Sequence, residues 1–151
     1  MMKFRIALGA ALTCLAAPAF AEGRYQFVYI DDDTAVLVDD NSLRKLASSR
    51  VRLWAAMIKA ESDPDYVLTN FELDCSSRDI RAVHAISYKN EEVANSAPYT
   101  NPAQPIAPNS VAEAVANYAC DDVLIAGLRR DKVDAEMLGT FKGALQNMAK
   151  D

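Results

Sequence analysis

A single histidine, three cysteines and five glycines are spread over 151 residues, which leaves little from which metal sites, thiol redox centres and phosphate loops are usually built. His84 has no second histidine to complete a metal-ligand pair, and no C-x-x-C spacing occurs. No serine sits on a G-x-S-x-G turn, so the strained elbow that presents a nucleophile is absent. No glycine-rich phosphate loop appears. Positive charge is also scarce: 16 Lys and Arg against 21 Asp and Glu give a net charge of −5. That excludes the basic footprint of a nucleic-acid binder and electrostatic docking to an anionic membrane. The apolar run Ile6 to Ala17 falls short of the ~20 residues a membrane-spanning helix needs, and no internal repeat is visible.

What is present begins with an export signal. Met1-Met2-Lys3-Phe4-Arg5 is basic, Ile6 to Ala17 is apolar, and Pro18-Ala19-Phe20-Ala21 ends in a small-x-small site. Residues 1–21 read as a signal peptide cleaved after Ala21. Thr13 and Ala11 stand where lipid attachment at Cys14 would want a small residue and a leucine. Loss of Lys3 and Arg5 takes the net charge from −5 to −7. The expected destination is the periplasm or cell surface of a Gram-negative-type bacterium. Cleavage removes Cys14 and leaves Cys75 and Cys120, an even pair that in an oxidising compartment predicts one disulfide. A loop of that size is worth about 4 kcal/mol in the chain-entropy model.

Periodicity then divides the chain. Tyr25 to Ile30 and Thr34 to Val38 predict a hairpin across Asp31-Asp32-Asp33, followed by a helical turn or loop from Asp39 through Leu46. Arg50 to Lys59 predicts a strand with Val51, Leu53, Ala55 and Met57 on one face and Arg52, Trp54, Ala56 and Ile58 on the other. Tyr66 to Cys75 alternates most cleanly, and Ile80 to Lys89 and Glu92 to Ala97 complete an antiparallel set. Pro98, Pro102, Pro105 and Pro108 mark an extended strap. Ser110-Val111-Ala112-Glu113 is a capping box opening a helix that ends near Cys120. Asp131 is expected to cap a second helix, with Val133, Met137, Leu138, Phe141, Leu145 and Met148 as its apolar stripe. The fold class is α+β: an antiparallel β-sheet of about five or six strands, a C-terminal helix clamped to it by a disulfide, and an extra amphipathic helical tail. The expected boundaries are 1–21, 22–122 and 123–151. The tail packs on the domain or meets a second copy in a homodimer.

Candidate sites are few. His84 is expected on the strand face of Ile80, Ala82 and Ile86, as a structural or surface residue. Asp31-Asp32-Asp33 lacks the spacing, glycine and closing glutamate of a calcium loop. Glu72 and Asp74, two apart on one strand face, look like a carboxylate pair of the kind polar strand faces carry routinely. The sheet side opposite the helix, with Arg52, Trp54 and Ile58, is a candidate binding face because exposed Trp and Arg anchor interfaces; burial of Trp54 in the core is the alternative. No catalytic residue, metal or cofactor is assigned.

The order of these features resembles one family. The aromatic strand at Tyr25 to Ile30 is followed by Leu37-Val38-Asp39 and Ser42-Leu43, then the Arg-Val-Arg-Leu-Trp strand at Arg50 to Trp54. Glu72-Leu73-Asp74-Cys75 ends a strand, and Pro108-Asn109-Ser110-Val111-Ala112-Glu113 opens a helix that reaches Cys120. From Tyr25 to Asp122 this resembles the bacterial surface-adhesin protein E family. The resemblance implies an antiparallel sheet with a helix held to it by the disulfide, and an adhesin that binds host extracellular-matrix proteins such as vitronectin and laminin. The family's namesake is lipid-anchored, whereas no convincing lipobox is found here. Asn109 stands where glycine is common and Ile106 where an aromatic is common. Beside the adhesin, a periplasmic envelope module and an exported enzyme with an unfamiliar site are the other function classes. The exported chain is expected to begin at Glu22 and to show two alkylatable cysteines only after reduction; intact mass spectrometry checks both, and a lipid-bearing Cys14 would overturn the cleavage site.

Overall fold

Runs such as Ala35-Val36-Leu37-Val38 and Leu53-Trp54-Ala55-Ala56-Met57-Ile58 are apolar at nearly every position, the pattern of strands covered on both faces. The computed structural model, which describes residues 24–128 and 131–150, places them at the centre of one antiparallel sheet. Its strands are β1 (Tyr25–Ile30), β2 (Thr34–Lys45), β3 (Arg50–Lys59), β4 (Tyr66–Asp74), β5 (Asp79–Lys89), β6 (Glu92–Pro98), β7 (Gln104–Pro105) and β8 (Lys132–Val133). They lie in the order β6-β5-β4-β3-β2-β1-β8, with β7 also paired to β5. Helix α1 spans Val111–Asp121, and helix α2 spans Leu138–Met148 after a short 3-10 turn at Ala135–Met137.

Each helix covers one face. Val36, Val38, Val51, Leu53, Ala55 and Leu73 meet Val115, Ala116 and Tyr118 of α1. On the other side Ala35, Leu37, Ala56 and Ile58 meet Leu138 and Leu145 of α2, and Phe141 packs edge-on to Phe27 with ring centroids 5.1 Å apart. The capping box forms: Ser110 Oγ accepts from the Glu113 amide at 3.2 Å, and Glu113 Oε2 accepts from the Asn109 amide at 2.7 Å. Asn109 sits at φ +55°, a left-handed conformation that asparagine tolerates better than most residues. Cys75, just past β4, bonds Cys120 near the end of α1, with Cα atoms 5.6 Å apart. Arg78 adds a second tie by donating to Asp121 at 3.0 Å and to Asn117.

Three expectations are corrected. Asp39 to Leu46 is not a helical turn: β2 continues to Lys45 through a bulge lying between Asp39, opposite Trp54, and Arg44, opposite Arg52. Ser42 makes this possible, since its hydroxyl accepts from the Trp54 amide at 2.8 Å and donates to the Asp39 carbonyl at 2.6 Å. The second helix starts at Leu138 rather than after Asp131, because Lys132 and Val133 are drawn into the sheet beside Gln26 and Tyr25. Ile58 is fully buried beneath α2 and belongs to no exposed face. Helix α2 is held there by polar contacts too: Gln146 donates to the Ala60 carbonyl at 2.9 Å, and Lys142 to the Asp63 carbonyl at 3.3 Å.

Replacing Cys75 and Cys120 together by serine is expected to cost about 2–5 kcal/mol of stability. Urea unfolding checks it; an unchanged midpoint would show that the layers hold without the bridge.

Candidate functional site

Helix α2 reaches only half of its face of the sheet. The uncovered half carries two rows of side chains, because residues paired directly across strands share a face. One row is Asp39, Trp54, Asn70 and His84, running from β2 to β5. The next is Arg44, Arg52, Glu72 and Arg81. A second irregularity assembles the β5 end: Asn70 pairs with His84 while its neighbour Phe71 pairs with Ala82, so Val83 is an extra residue in the ladder. Such a bulge flips the alternation beyond it. The expected grouping of His84 with Ile80 and Ala82 is therefore corrected: those two face α1, and His84 joins Arg81, Trp54 and Ile86 on the opposite side.

The acids of this half-face are sunk and the guanidiniums are presented. Glu72 takes Arg52 Nη2 at 2.8 Å, Arg81 Nη2 at 3.1 Å and Arg50 Nη1 at 3.5 Å. Its side chain is 7% exposed, against 54%, 43% and 45% for Arg50, Arg52 and Arg81. The hydrogen bond from Arg52, joined by that from Arg81, outweighs desolvation and holds the Glu72 carboxyl below the usual range. Asp39 is buried and takes both Nε and Nη2 of Arg24. Asp74 turns to the following loop, where the Ser76 hydroxyl and the Ser76 and Ser77 amides hold its pKa down to about 2. Both carboxyls of the Glu72 and Asp74 pair are thus shifted toward the anionic form, the reverse of what a general acid needs. His84 Nε2 lies 2.8 Å from Ser96 Oγ, and its ring stands at 69° to the Trp54 indole, centroids 6.2 Å apart.

Of the candidate binding face, Arg52 and Trp54 stand on the open half and Ile58 does not, because α2 lies over it. Sequence reasoning did not bring Arg44, Arg81 and His84 to the same place, since two bulges separate them from simple alternation. It also missed a cavity of about 540 Å³ on the α1 side. Phe71, Ile80, Tyr99, Pro102, Pro105 and Val111 line it, and the proline strap forms its wall. Among the described residues no three His, Cys, Asp or Glu side chains gather as a metal site.

An antiparallel sheet with arginines and the half-buried Trp54 on its open half-face, and a helix clamped to its other face by a disulfide, defines an α+β protein. Residues 22–121 match the family model of surface-adhesin protein E, and the chain belongs to that family. It is a surface-adhesin-like protein. No curated protein and no solved structure matches it. Among the described residues no helix is long and apolar enough to cross a membrane. The family match stops at the end of α1, so α2 lies outside it.

The depressed Glu72 pKa has a pH consequence of definite sign. Its stabilisation is fully present above the unfolded value of about 4.3 and is lost as pH falls through the lower folded value. Glu72→Gln is expected to lower stability at neutral pH by about 1–3 kcal/mol and to flatten the acid limb. Melting temperatures from neutral to acid pH check it; parallel profiles for the two proteins would contradict it.

Proposed function

We propose that this chain is an exported, non-enzymatic adhesin that attaches to host extracellular-matrix proteins through the open half of its sheet, with Arg52 and Trp54 as anchors. Membership of the surface-adhesin protein E family supports the role. The observation that carries the location is the contrast on this half-face, where guanidiniums are exposed beside the half-buried Trp54 indole while Glu72 and Asp39 are buried. Arg and Trp are enriched among residues that dominate binding energy. Cleavage of residues 1–21 frees the chain for display. Residues 22–122 form the adhesive unit, and the helical extension 123–151 closes the other half of the sheet.

A homodimer through the C-terminal helix is less well supported. Helix α2 spends Leu138, Phe141 and Leu145 on its own sheet, leaving Met137 and Met148 as the exposed large apolar residues at its ends. An enzyme reading has no support in the half-face either, since its carboxylates are occupied.

Purified chain is expected to bind immobilised vitronectin or laminin saturably, and surface labelling of intact cells should reach it. Trp54→Ala should weaken binding by about tenfold or more at an unchanged melting temperature. Tight binding by that variant, or a chain confined to the periplasm, would refute the reading and direct attention to envelope partners.

A further inference from the structure

The row Arg44, Arg52, Arg81 crosses from β2 to β5, three inter-strand steps or roughly 14 Å. Arg52 and Arg81 each make a hydrogen bond to Glu72 and remain nearly half exposed. Arg52 Nε is buried and makes no hydrogen bond among the described residues. Arg44 is exposed, and its side chain donates to the Leu43 carbonyl at 3.0 Å. Arg50, Arg52 and Arg81 thus meet one sunken carboxylate, and Arg44 stands opposite Arg52 on the neighbouring strand. Asp74 and Asp79 lie in the next row with Arg50, Asp74 with its carboxylate turned to Ser76 and Ser77. One strand-repeat away lies the Trp54 and His84 pair. This presented positive charge belongs to a chain whose net charge is −5.

From this arrangement we infer that the half-face binds a sulfated polysaccharide, with the arginine row holding sulfates and Trp54 stacking under a sugar ring. A guanidinium fork meets two oxygens of a tetrahedral anion as it meets those of a carboxylate or phosphate. An indole face offers a flat apolar platform to the C–H face of a pyranose. A polymer whose charge recurs along its length suits a row of forks that recurs across successive strands. An acidic peptide is the less suitable occupant: it gains most from pockets for its side chains, and the large apolar cavity lies on the opposite face. The inference shares its location with the adhesin reading but does not depend on a matrix-protein partner.

The full exported chain is passed over immobilised heparin, over the same heparin after chemical desulfation, and over poly-glutamate. Binding to heparin that falls with added salt, and that desulfation abolishes, is expected. Arg44 touches no acid among the described residues, so Arg44→Gln should leave folding intact; losing one charge-assisted contact should weaken heparin binding about tenfold. Arg52→Lys with Arg81→Lys keeps Glu72 neutralised while removing two forks, and should weaken it further. Lys59→Gln, exposed at the far end of β3, should change nothing. Equal binding to desulfated heparin, or wild-type affinity in Arg44→Gln, would overturn the inference. Poly-glutamate binding as tight as heparin would overturn it in favour of an acidic peptide. Vitronectin or laminin binding without heparin binding sinks the glycan inference alone, whereas heparin binding without either sinks the matrix-protein reading alone.

Discussion

A sheet whose central strands are apolar on both sides must be covered twice, and the rest of this structure follows from how the two covers are supplied. Helix α1 is pinned over Val38, Leu53 and Leu73 by Cys75–Cys120 and by Arg78. Helix α2 is pinned over Leu37, Ala56 and Ile58 by packing and by Lys142 and Gln146. Burial of large aliphatic side chains supplies about 1.5–3 kcal/mol each, so neither layer is an ornament. The uneven reach of α2 leaves one quadrant of the sheet open, and that quadrant is where the polar residues lie.

The open quadrant handles its charge in an economical way. A buried carboxylate with no partner is strongly destabilising. Glu72 meets three guanidiniums and Asp39 meets Arg24, which satisfies the acids while the arginine side chains stay about half exposed. The same contacts that stabilise the fold thus orient the cationic groups of the open half-face.

Much of the fold was legible in one sequence. The alternation of Tyr66 to Cys75, the capping box at Ser110 and the count of cysteines are local signals, each tied to a short-range physical preference. The face of Arg52 and Trp54 was legible for the same reason. Ile58 was not, because strand periodicity assigns a side but cannot say which part of that side a distant helix will cover. Arg44, Arg81 and His84 escaped because the bulges after Asp39 and at Val83 reset the alternation. A bulge leaves little trace in composition; Ser42, whose hydroxyl takes over a ladder contact, is the nearest thing to a signal. The cavity under the proline strap depends on how residues 98–109 cross the sheet, which prolines alone do not specify.

By itself, then, the sequence determined the disulfide partners, most of the strands and helices, and which side of a regularly alternating strand such as Tyr66 to Cys75 is apolar. These depend on neighbours within a few residues or on simple counting. Only the tertiary structure decided that α2 lies on the sheet, that Ile58 is buried while Trp54 is half-open, and that Arg44, Arg52 and Arg81 share one row. Those outcomes depend on register between strands far apart in the chain, and register is settled by the whole packed sheet rather than by any one strand.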